Sequence, residues 1–154
     1  MRRLLIITVL LAALPALAWS APAAEDQTIG IVRNAAGQAT ISRGERTFPA
    51  VVGSKLHAGD ALSTGPDGSI GIILRDNSSL SIGPQSSLVI KDFLFSPAEG
   101  KLGLFARLAK GTMAYMSGMI GKLAPESVRF ETPVASIGIR GTRFVVQSEE
   151  VAAN

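Results

Sequence analysis

S-I-G-I-I-L-R-D-N-S-S-L-S-I-G-P-Q-S-S-L-V-I, residues 69–90, decides the fold class. Ile70, Ile72 and Leu74 fall on one face of an extended segment, Asp76-Asn77-Ser78 supplies a turn, and Leu80 and Ile82 resume the same alternation. Gly83-Pro84 turns the chain again before Leu88 and Ile90. A period of two identifies strands, and each strand here carries only two or three apolar residues. Stripes that short bury too little alone and must stack on neighbours. The expectation is an all-β, short-strand domain, arranged as a β-solenoid-like stack or a roll, with a β-sandwich as the alternative.

The flanks repeat the pattern. Sixteen glycines and eight prolines punctuate the 154 residues. Strands are expected at residues 29–32, 38–42 and 48–52, with a turn at residues 43–46. Residues 93–97 read as an edge or loop, and residues 98–100 as a turn. Residues 101–110 fit both a helix face and an alternating strand; Gly103 favours the strand. Gly111-Thr112 reads as a turn before another strand at residues 113–116. One helical turn is expected within residues 117–123, closed by Pro125, and a strand at residues 128–131. Met113, Met116 and Met119, with Tyr115 among them, read as core filling before an adaptable binding surface.

The first twenty residues have the form of an export signal: Arg2 and Arg3, an apolar run from Leu4 to Leu17, then small residues. Cleavage is expected after Ala18 or Ser20, with Ala23 and Ala24 as alternatives. The apolar run is shorter than the roughly 20 residues a spanning helix needs, and Pro15 interrupts it. The expected organisation is a signal peptide over residues 1–20, a linker over 21–28, one domain over 29–148 and a tail over 149–154. No transmembrane segment is expected after cleavage, and the expected location is periplasmic or secreted. With no cysteine, neither a lipid-anchoring thiol nor a disulfide framework is available.

Charge argues against nucleic acid. Arg2 and Arg3 belong to the signal, and the remaining basic residues nearly balance the 12 acidic ones. Catalysis finds no constellation. His57 is the single histidine and reads as an exposed loop residue, no G-x-S-x-G element is present, and a zinc site lacks its preferred ligands. Asp60, Asp67 and Asp76 each stand in a turn, where a short carboxylate accepts backbone hydrogen bonds. The reading is a non-enzyme with no cofactor and no metal.

Residues 132–146, T-P-V-A-S-I-G-I-R-G-T-R-F-V-V, form the second informative block. Pro133 is expected to open a strand, and Gly141 to take a positive φ at a corner where a Cβ would clash. Arg140, Thr142 and Arg143 then project from that corner as the candidate partner contact. For the two arginines, charge pairing with Glu131, Glu149 or Glu150 across neighbouring strands is read ahead of that contact. Gly59, Asp60, Gly65, Gly83, Pro84 and Gly141 are read as structural turn positions.

This block, together with G-D-A-L-S-T-G at residues 59–65, D-G-S at 67–69, D-N-S at 76–78 and L-S-I-G-P-Q-S-S-L at 80–88, resembles the FecR-like domain family of the bacterial envelope. The resemblance extends over residues 29–146. Asn77 departs from the family's Asp-Gly-Ser, and asparagine tolerates the left-handed conformation such a turn needs. The resemblance implies a β-rich, solenoid-like periplasmic module. In the best-known members that module is the outer portion of a transmembrane regulator of iron-chelate uptake. This chain resembles the free-standing exported form, so the resemblance implies binding or regulation in envelope sensing, with an envelope or membrane sensor protein as partner. A structural or peptidoglycan- and carbohydrate-associated envelope role is the alternative.

Overall fold

The computed structural model describes residues 27–150. The export signal, most of the linker and the last four residues of the tail lie outside them. Twelve strands account for most of the described chain: β1 Gly30–Ala36, β2 Ala39–Arg43, β3 Arg46–Pro49, β4 Lys55–Leu56, β5 Ala61–Thr64, β6 Ser69–Leu74, β7 Ser79–Ile82, β8 Ser87–Ser96, β9 Lys101–Met116, β10 Val128–Glu131, β11 Ser136–Gly138 and β12 Arg143–Ser148. One helical turn, α1 Met119–Leu123, is the only α-helix among the described residues. The chain is all-β.

The strands form one curled antiparallel half-barrel sheet in the order β3-β2-β5-β8-β9-β7-β6-β1-β4. Two branches leave β9: β10, the one parallel neighbour, carries β11, and β12 lies alone. Curling turns one face of every strand inward. Ile70, Ile72, Leu74, Leu80, Ile82, Leu88 and Ile90 are all buried, as the alternation in residues 69–90 requires. Asn77 takes the left-handed conformation at φ +62, and Gln85, unanticipated, does so at φ +48.

β9 organises the molecule. Its first half pairs with β8 and β10, and its second with β7 and β12. Gly111-Thr112, expected to be a turn, is a bend inside this strand. Gly111 has φ +94, and a Cβ there would run into Ser86. The Ser86 hydroxyl holds the bend by accepting the Thr112 N–H at 3.0 Å and donating to the Pro84 carbonyl at 3.1 Å. A glycine that signals a turn thus marks a kink in a continuous ladder.

Other boundaries also differ from expectation, and β1 runs on to Ala36 rather than ending at residue 32. Residues 93–96 belong to β8, where Phe93 packs into the core and Leu94 faces out. The third strand begins at Arg46 and ends at Pro49, because Val51 and Val52 lie exposed in the following turn. Pro133 lies in a bend, and β11 starts three residues later, with Thr132 and Ala135 bonded across the turn.

Tyr115, Phe130 and Phe144 join β9, β10 and β12 through ring centroids 5.0 to 5.4 Å apart. Two pairs are tilted and Phe130–Phe144 meets edge to face, and each contributes about 1 kcal/mol beyond simple burial. Burial pushes the Tyr115 phenol above its ordinary value of 10.0. Met113 shares this core, as expected, whereas Met116 and Met119 are exposed and do not fill it.

Candidate functional site

The terminal corner follows from how the last strands are tied down. β11 returns along β10, and β12 runs back along β9 with Arg143 opposite Met116 and Ser148 opposite Gly111. Residues 139–142 join these strands. The Ser117 N–H donates to the Thr142 carbonyl at 2.8 Å, fixing the corner to the entry of α1. Gly141 has φ +119, but nothing lies within 4 Å of where a Cβ would stand. The corner therefore needs glycine for its conformation, and the clash expected there is absent.

An open groove of about 490 Å³ runs between this corner and α1. Arg140, Gly141 and Thr142 form one wall with Ile139. Lys122 and Glu126 stand on the other. Arg143 does not line it. It starts β12 and lies on the exposed face beside Met116, so the structure separates the two arginines read together in the sequence. The carboxylates considered as their partners are otherwise engaged or remote: Glu131 pairs with Arg129 at 3.5 Å and Glu150 with Lys110 at 3.1 Å. Among the described residues neither Arg140 nor Arg143 makes an ion pair.

The turn positions lie elsewhere. Gly59, at φ +90, donates its N–H to the Ile90 carbonyl at 2.7 Å. Asp60 is fully buried and binds Arg43 with both carboxylate oxygens, at 2.8 Å to Nε and 2.7 Å to Nη2, while accepting the His57 N–H at 2.9 Å. His57 is half-buried rather than an exposed loop residue. The sequence marked Asp60 as a turn carboxylate but held no sign of Arg43, which the β2–β5 pairing brings across. Gly65 and Pro84 line a second groove of about 550 Å³ with Lys110, Gln147 and Glu150. Gly83 donates its N–H to the Thr112 carbonyl at 3.0 Å beside the β9 bend.

The remaining turn carboxylates are also structural. Asp67 accepts the Gln38 N–H at 3.3 Å. Asp76 accepts from the Ser78 N–H and hydroxyl, at 3.0 and 2.6 Å, and from the Ile120 N–H at 3.2 Å. These bonds tie the D-N-S turn to α1. Among the described residues no group of three or more histidines and carboxylates could hold a metal ion. No helix among them is long and apolar enough to cross a membrane.

What the terminal groove offers chemically is an open surface with two cations, one carboxylate and an apolar strip, rather than an enclosed pocket with a reacting group. The model of a protein family described as FecR protein matches residues 60–154, from the Asp60 turn through this corner. No curated protein and no solved structure matches the chain.

Proposed function

The chain belongs to the FecR family, and from that premise we propose that it is a non-enzymatic binding and regulatory module of envelope sensing or signalling. The partner is an envelope or membrane sensor protein, held by protein contact at the terminal corner. The observation that carries this reading is Arg140: an exposed cation that makes no ion pair among the described residues, on the wall of a groove that also offers Ile139 and Thr142. Arginine beside an apolar strip suits a protein surface, since its fork hydrogen-bonds while its stem packs. The export features of residues 1–20 support action in the periplasm or outside the cell, with residues 29–148 as the working domain.

The test crosslinks intact envelopes that carry the tagged chain and compares wild type with Arg140→Ala and with the Arg140→Ala/Thr142→Ala pair. Expected are a discrete crosslinked protein with wild type and its loss in the variants at unchanged thermal stability. Equal sedimentation of all three with peptidoglycan, without such a protein, would favour the structural envelope role. Intact mass of the periplasmic chain tests location, and a cytoplasmic product that keeps Arg2 and Arg3 would reject it.

A further inference from the structure

Edge strands are normally kept short or interrupted, because their free N–H and C=O groups invite another strand. Three edges here follow that rule: β3 ends in Pro49, β4 has two residues and β11 has three. β12 does not. It runs for six residues, R-F-V-V-Q-S, without proline. Beyond its ladder to β9 it makes no backbone hydrogen bond among the described residues. Val145, in its middle, is 64% exposed.

The charges along this edge are self-complementary. Arg143, Val145, Gln147 and Glu149 are exposed, while Phe144 and Val146 are half-buried and Ser148 is buried. Arg143 and Glu149 lie equally far from Val146 in the chain, one on each side, and neither makes an ion pair among the described residues.

We propose that a second copy of this chain pairs antiparallel along the free edge of β12, about a two-fold axis at Val146. Arg143 of each copy then faces Glu149 of the other. This register sets exposed faces beside exposed faces and keeps both cores on the same side of the joined sheet. Shifting the axis one residue either way, to Val145 or Gln147, loses the charge match. Symmetry forms each contact twice, as an isologous interface requires. The pairing runs from Arg143 to Glu149, one residue beyond β12. So short a ladder buries less than a standard stable interface, and the dimer belongs to the weak class below roughly 1,200 Å².

The test is sedimentation equilibrium of the full chain, at concentrations up to about 100 µM so that a weak dimer is populated. Wild type is expected to dimerise reversibly. Arg143→Glu and Glu149→Arg each place like charges opposite one another, and each is expected to weaken the dimer by roughly tenfold or more. The combined exchange, Arg143→Glu/Glu149→Arg, restores the match and should return the wild-type affinity. A wild-type monomer throughout the range overturns the proposal and leaves the edge to another protein's strand. A dimer indifferent to either exchange, or one the combined exchange does not restore, overturns it equally. Should Arg143→Glu lose its far-ultraviolet strand signal, Glu149→Arg and Glu149→Lys carry the same comparison. Arg140 and Thr142 lie outside this ladder, so their variants test partner capture independently.

Discussion

The corners at Asp60 and Asp76 and the corner at Arg140 are all short polar turns between strands, yet they are built in opposite ways. At the first two, a fully buried carboxylate collects one donor residue from its own turn and one from a distant part of the chain: His57 and Arg43 around Asp60, Ser78 and Ile120 around Asp76. At the third, one backbone hydrogen bond to Thr142 fixes the turn, and the side chains face solvent. A closed corner uses its polar groups on itself and has none to offer a partner. An open corner keeps them available, and its conformation must come from glycine instead.

The largest expected effect attacks a closed corner. Arg43→Ala would leave the Asp60 carboxylate buried without its guanidinium, at a cost of about 4 kcal/mol in a urea titration. A loss below about 1 kcal/mol would mean that water readily reaches Asp60. Asp76→Ala strands the backbone donors of Ser78 and Ile120 and should cost about 3 kcal/mol by the same measurement. It should also increase amide exchange in α1, which that carboxylate anchors.

The open corner should respond less, and for a different reason. Gly141→Val meets no neighbouring atom but must hold φ near +119, so a loss of about 1 kcal/mol is expected from backbone conformation alone. An unchanged melting temperature would show that the corner relaxes, and would weaken the case for a rigid contact site. Smallest of all, Arg140→Ala should leave stability within about 0.5 kcal/mol, as surface substitutions usually do. A loss comparable to that of Arg43→Ala would place Arg140 in a closed corner after all.

These contrasts also mark what could be read from the sequence. The strands at residues 69–90 were legible because alternation is local and each buried residue is two positions from the next. The turn role of Asp60 was legible too, but its ion pair was not, because Arg43 lies 17 residues away and no local spacing records that pairing. Gly111 misled for a physical reason: a positive φ serves a bulge as well as a turn, and the choice rests on Ser86, which only the β8–β9 register brings alongside. Arg140 and Arg143 looked like one cluster because they are three residues apart. The corner between them sends one to the groove and the other along β12.

The sixteen residues of β9 are shared property of both halves of the sheet. Both ladders of the sheet are threaded on this one strand, so neither can be peeled away while the other stays whole. Hydrogen exchange across β9 should therefore report one protected block from Leu104 to Tyr115, released only in global unfolding. In kinetic terms, the β8–β9 hairpin is local and the pairings of β7, β10 and β12 with β9 span longer stretches of chain, so those three are expected to form last. Before β9 is in place, neither half of the sheet has its shared neighbour.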